Sequence, residues 1–233
     1  MARPRVGRPS VARSAGEPPG TATMAMHRLD AIYPSPLRAY FGDDAPELVF
    51  AVGNVALVGQ SLLALLCSVK CPGNAILKTY DLARGLRDAG VPVVGGFHTP
   101  MEKECLELLL RGTQSIVVCP ARAIEGMRIP QAIRAGIDAG RVLLLSPFAA
   151  KHRRATAQLA DQRNRLVAAL ASQIFVAYAA PGGRTEELCR EIIAKGKPLL
   201  TVDIGENSNL ISLGAKPVSI DEVVNHRRRD GQD

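Results

Sequence analysis

Leu62-Leu63-Ala64-Leu65-Leu66 is followed by Cys67-Ser68-Val69-Lys70-Cys71-Pro72-Gly73-Asn74, and then by Ala75 to Ala89, where apolar residues fall at helical spacing (Ile76, Leu82, Leu86). A run that is apolar at every position suits a strand covered on both faces. Such strands belong to sheets whose crossovers are helices. Strand, polar turn, helix therefore opens an α/β domain with a parallel sheet. At the turn a helix N-terminus offers free backbone N–H groups and a partial positive charge, and Ser68 and Lys70 add a hydroxyl and an ammonium. The turn is read as a phosphate seat, with a plain connection as its alternative. It matches neither the dinucleotide fingerprint nor the Walker loop.

The same alternation extends in both directions. Upstream, Leu48 to Val52 is a strand candidate. Downstream come strands at Val91–Val94, Ser115–Cys119, Val142–Leu145, Ile174–Ala177 and Leu199–Val202, separated by helical segments at Met101–Arg111, Gln131–Ala139, from near Thr156 onward, and up to Lys195. A short helix and a final extended piece around Lys216-Pro217-Val218 close the pattern. The expected architecture is a three-layer α/β sandwich with a mostly parallel sheet of six or seven strands.

Ligands of open parallel sheets gather where strands end and helices begin. Gly95 and Gly96 follow the second of the parallel strands and let a ligand approach backbone closely, with His98 beside them. Thr99 and Pro100 suit a helix N-cap and first turn, where Glu102 and Glu104 favour the dipole. Gly182, Gly183, Arg184 and Thr185 form a third glycine-floored turn before a helix. Arg163-Asn164-Arg165 places two guanidiniums around a carboxamide just before the apolar run Leu166–Leu170, and guanidiniums match phosphate oxygens without catalytic apparatus. Solvated helix charges are the competing reading of that trio. Right-handed crossovers are expected to bring Ser68, Lys70, Gly95, Gly96, His98, Gly182, Gly183 and Arg184 to one crevice beside the Arg163 helix.

The formal charge of +7 favours a polyanionic partner, although much of it is terminal: Arg3, Arg5, Arg8, Arg13 and the His226-Arg227-Arg228-Arg229 run. Residues 1–32 are read as a flexible basic arm, 33–225 as the folded domain and 226–233 as a disordered tail. Five cysteines, Cys67, Cys71, Cys105, Cys119 and Cys189, are odd in number and scattered, the pattern of a reduced, cytoplasmic protein. Only Cys67 and Cys71 are close, and nothing completes four ligands, so no metal is expected. No apolar run reaches the ~20 residues of a membrane span. With no Trp and few aromatics, base stacking on an aromatic platform is disfavoured.

Together these residues resemble the DprA/Smf family, DNA-processing or DNA-recombination-mediator proteins with a Rossmann-like core. The resemblance runs over about residues 33 to 225. It is carried by Tyr33-Pro34 with Leu37, Gly53-Asn54, Ser68, Gly96, Arg163-Asn164-Arg165 with Leu170, and Leu210-Ile211 to Gly214-Ala215 with Pro217-Val218. It implies a homodimer that binds single-stranded DNA in a basic pocket and loads a recombinase during DNA uptake and transformation, with no cofactor and no enzymatic step. The chain departs from the family pattern where Gly-Ser-Arg becomes Cys67-Ser68-Val69 and where Gly-Ile-Asp becomes Pro100-Met101-Glu102. A more distant likeness joins Pro181-Gly182-Gly183-Arg184-Thr185-Glu186 to the PGGxGTxxE turn of the Lonely-guy (LOG) phosphoribohydrolases. That likeness implies an alternative: hydrolysis of nucleoside 5′-monophosphates, with Arg184 and Glu186, or Glu187 in its place, as the assisting residues. A nucleotide-sensing module that binds without cleaving is a further alternative.

Overall fold

The computed structural model describes residues 22–219 and 221–223. The elements run β1 (Met24–His27), α1 (Ser35–Phe41), β2 (Leu48–Gly53), β3 (Leu63–Leu66), α2 (Gly73–Asp88), β4 (Val93–Gly95), α3 (Pro100–Leu110), β5 (Ile116–Val118) and α4 (Gln131–Asp138). They continue with β6 (Val142–Ser146), α5 (Ala157–Leu170), β7 (Gln173–Val176), α6 (Arg184–Ala194), β8 (Leu199–Val202), α7 (Ser208–Leu213) and β9 (Lys216–Val218). One sheet holds all the strands in the order β1-β2-β6-β5-β4-β3-β7-β8-β9. From β6 to β9 the pairing is parallel; β1 and β2 join antiparallel at one edge.

Alternation along the strands explains the unbroken apolar runs. Leu63 and Leu65 of β3 pack with Leu82 and Leu86 of α2 and Leu109 of α3 on one face, while Ala64 and Leu66 pack with Leu166 and Leu170 of α5 and Ile192 of α6 on the other. Both faces are covered, so polar residues have no place in the strand. Each such leucine stabilises the fold by ~1.5–3 kcal/mol relative to exposure.

The expected α/β sandwich holds, and the sheet is wider than the six or seven strands expected. The Lys216–Val218 piece pairs with β8, and β1 adds an edge inside the stretch read as a flexible arm. Met26 of β1 is fully buried against the α1 side of the core, so the folded domain begins by Met24, upstream of residue 33. The rest of the expected arm before Ala22, and the expected tail from 226, lie outside the described residues.

The chain builds outward from β3 through β4 and β5 to β6, then α5 carries it back across the sheet to β7 on the other side of β3. That reversal makes β3 and β7 the topological switch point. The helix that makes the return journey is well tied at both ends. Thr156 caps its start, its hydroxyl oxygen accepting the Leu159 N–H at 3.2 Å. At its end, the Lys197 ammonium donates to the carbonyls of Ala168, Ala169 and Ala171 at 2.7, 2.8 and 2.6 Å, groups that no helical N–H can reach.

Candidate functional site

The loop after β4 is shaped by three neighbouring residues. Thr99 caps α3 in a capping box with Glu102, as its spacing predicts. Glu102 is 3 % exposed and reaches further than a cap requires. One carboxylate oxygen accepts the N–H of Cys67 at 2.9 Å, and the other accepts those of His98 at 2.9 Å and Thr99 at 3.2 Å. The turn after β3 and the loop after β4 thus share one anchor. Between Gly96 and His98 the chain passes through Phe97 at φ 46°, a conformation that a bulky side chain rarely adopts and that costs ~1–3 kcal/mol. Gly95 makes room for it: a Cβ there would stand 2.9 Å from the Phe97 ring.

Gly96 makes room for Arg163 in the same way. A Cβ on Gly96 would lie 1.6 Å from the guanidinium, so only glycine lets the α5 side chain lie flat across the strand end. Arg163 is 3 % exposed; its Nη1 donates to the Cys119 carbonyl at 3.1 Å and its Nε to Asn164 Oδ1 at 2.8 Å. Burial pulls its pKa below the ordinary value, and the Glu102 carboxylate works in the opposite direction. A buried, partly unpaired guanidinium is costly.

Its surroundings show where the unused donors face. Arg163 lines a cavity of about 830 Å³ over the C-terminal ends of β4 and β5, between α3, α4 and the start of α5. The floor is apolar, with Phe97, Leu106, Met127 and Ile133. The rim carries Lys103, Arg122, Arg128 and Arg154 with His98, against the single carboxylate Glu107. Among the described residues none of these cations, Arg163 included, stands in an ion pair. A basin in which cations outnumber carboxylates this far attracts an anion.

The second half of the expected constellation is elsewhere. Arg165 points away from the cavity, onto the seam between α5 and α6, where Nε and Nη2 grip the two Glu191 oxygens at 2.7 Å each. Arg184 bridges the same seam to Asp161 at 3.1 Å. Ser68 stitches the switch point: its N–H donates to Tyr178 O at 2.9 Å, and its hydroxyl oxygen accepts the Ala180 N–H at 3.1 Å. Lys70 is exposed at the tip of that turn. Gly182, at φ 68°, gives its N–H to Glu186 at 2.8 Å; Gly183 caps α6, and Thr185 sits in the first turn of that helix.

Glu186 is buried, with one oxygen on Gly182 and the other on Asn209 Nδ2 at 2.8 Å, while Arg190 lies at 3.4 Å. The Asn209 and Gly182 hydrogen bonds hold its pKa below the usual carboxylate range, so it stays ionised and ties the turn to α7. Both oxygens are thus engaged in holding the turn. Glu187 is exposed. Among the described residues no three metal-capable side chains converge.

The structure therefore gathers Gly96, His98 and Arg163 at one basin, with Gly95 behind the Phe97 ring and Asn164 holding the Arg163 guanidinium. It sets Ser68, Lys70, Gly182, Gly183, Arg184 and Thr185 at the neighbouring switch point, and Arg165 on the far side of α5. One crevice was expected; the structure sets these residues in two groups, one over β4 and β5 and one where Ser68 joins the loops after β3 and β7. Lys103, Arg122, Arg128 and Arg154 complete the basin. Their segments are far apart in sequence, and only the sheet order assembles them.

A family model described as DNA recombination-mediator protein A matches residues 24–227. No curated protein matches the chain by sequence. Among solved structures, DNA processing protein A from Streptococcus pneumoniae is similar at 21 % identity and a TM-score of 0.72, over 87 % of this chain and 74 % of that one. DNA processing protein A from Helicobacter pylori, described for its single-stranded DNA binding mode, is similar at 20 % identity and a TM-score of 0.70, over 89 % and 96 %. The molybdenum cofactor carrier protein of Chlamydomonas reinhardtii is similar at 10 % identity and a TM-score of 0.51, over 75 % and 100 %. At such identities the structures speak for the fold.

Proposed function

Because the chain belongs to the DNA recombination-mediator protein A family, we propose that it binds single-stranded DNA along the C-terminal edge of its sheet, with the cationic basin over β4 and β5 as the principal phosphate seat. The observation that carries this reading is the set of unpaired cations, Lys103, Arg122, Arg128, Arg154 and Arg163, around one cavity with one carboxylate. Exposed rim cations reach the backbone of a strand, and the guanidinium of Arg163, fixed by Cys119 and Asn164, turns its remaining donors to a phosphate. An apolar floor suits a base that has left the stack.

The grip differs from the family pattern in its first turn. Val69 stands where the family has arginine and is 72 % exposed, so that turn contributes Lys70 and backbone N–H groups instead. Affinity moves to the β4–β5 side. In this reading the protein acts without cofactor or bond cleavage, as a cytoplasmic homodimer that hands its strand to a recombinase during DNA uptake. The engaged oxygens of Glu186 support binding over hydrolysis.

Titrating the protein against a single-stranded oligonucleotide and its duplex at two salt concentrations tests the reading. Tighter binding of the single strand, weakening steeply with salt, is expected. Equal or absent binding of both at low salt overturns it.

A further inference from the structure

The basin over β4 and β5 presents more donors than a passing phosphodiester can engage. Arg163, 3 % exposed, gives Nη1 to the Cys119 carbonyl and Nε to Asn164, and among the described residues its Nη2 meets no acceptor. Arg122 lines the same cavity, its Nε shut from water and without a hydrogen-bond partner. A third source of donors is α4. Its first turn lines the cavity through Pro130, Ala132 and Ile133, and no side chain caps it, so its leading N–H groups and the positive end of its dipole stay open to an anion.

We propose that the basin takes a nucleotide that ends in a phosphate monoester, supplied by the terminus of a strand or as a free mononucleotide. The inference rests on the reading of this basin as a phosphate seat and adds which phosphate it prefers. A diester inside a strand carries one negative charge and has two unbridged oxygens. A monoester carries about −1.5 to −2 at neutral pH and has three acceptor oxygens. Two guanidiniums and an uncapped helix start engage the monoester more fully, because charge-assisted hydrogen bonds strengthen with the charge they meet.

Size points the same way. A cavity of about 830 Å³ has the dimensions of a small-molecule site, ~300–1,000 Å³, and not those of a groove that follows several nucleotides of backbone. Phe97, Leu106 and Met127 offer an apolar surface to the attached base. The one carboxylate among the lining residues, Glu107, is exposed, so water screens its repulsion of the phosphate.

The test titrates the full chain with an internally labelled oligothymidylate in three forms: hydroxyl at both ends, 5′-phosphorylated and 3′-phosphorylated. Calorimetry with thymidine, thymidine 5′-monophosphate and thymidine 3′-monophosphate runs beside it. A phosphorylated strand, or a monophosphate relative to thymidine, is expected to bind at least about tenfold more tightly, the effect of one added charge-assisted hydrogen bond. Arg122→Gln, its fold checked by circular dichroism, is expected to narrow that difference. Should it fail to fold, the ranking of the ligands on the unaltered chain decides alone. A preference among strands assigns the site to strand ends; a preference among the small ligands only assigns it to free nucleotides. Equal affinity for the three strands, with neither monophosphate bound better than thymidine, overturns the proposal and leaves the single-stranded DNA reading standing. Monophosphate binding with no strand bound removes the DNA reading and keeps the proposal. A difference that survives undiminished in folded Arg122→Gln puts the terminal phosphate elsewhere and overturns it.

Discussion

Arg163 and Arg165 lie two positions apart on one helix and meet opposite environments. Arg163 is buried, bonded to a backbone carbonyl and to its neighbour Asn164, and faces a basin of unpaired cations. Arg165 is exposed and fully occupied by Glu191. The difference teaches that α5 has two jobs. One face turns a cation to the basin, and the other fastens α6 through Arg165–Glu191 and Asp161–Arg184. A two-residue step on a helix turns through about 200°, so a tight cationic trio in sequence cannot be a single cationic patch in space.

The strongest challenge to this division is Gly96→Ala. Its Cβ displaces the Arg163 guanidinium and orphans the Cys119 carbonyl, at a cost of ~1–3 kcal/mol in urea unfolding. Single-stranded DNA affinity is expected to fall at least about tenfold, or ~1.4 kcal/mol. Unchanged stability and affinity would dissolve the distinction between the two faces. Arg163→Lys sharpens it: charge is kept, the planar fork is lost, and affinity is expected to drop roughly tenfold in the same titration.

Rim residues give a graded response. Replacing Arg128 and Arg154 together by alanine lowers the slope of log affinity against log salt by about 0.7 for each phosphate left without its cation, while the unfolding midpoint holds. A pH series examines the seam side. Glu186 has its pKa lowered by Asn209 and Gly182, so its contribution to stability is present above the unfolded carboxylate value of ~4.3 and is lost as pH falls through the lower folded value. Glu186→Gln should destabilise at neutral pH and converge with the unaltered chain in acid, as read from urea midpoints. The smallest effect belongs to Arg165→Ala: at most ~1 kcal/mol of stability and no change in DNA affinity. A loss of binding there as large as for Arg163→Lys would return both arginines to one site.

The sheet's centre was legible because β3, β5, β6 and β7 are covered on both faces and hence apolar at nearly every position. β1 was not. Met-Ala-Met-His is short and carries a single fully buried residue, Met26, so its pairing with β2 leaves almost no periodic trace. At the site, the glycines and Arg163 were legible as chemistry but not as partners: nothing local says that the space vacated by Gly96 is filled by a side chain from α5. The angular step between Arg163 and Arg165 was a usable signal for separating them. The convergence of Arg122, Arg128 and Arg154 depends on β5 lying between β4 and β6, which no local pattern reveals.

The carboxylate of Glu102 spans two segments that the chain visits about thirty residues apart, taking an amide proton from Cys67 with one oxygen and two, from His98 and Thr99, with the other. A side chain one methylene shorter could serve one bank but not bridge to the other. The two loops would then lose the side chain that holds them at a fixed spacing. Rigidity here is a matter of reach: the length of a single glutamate sets how far apart the two halves of the rim can stray.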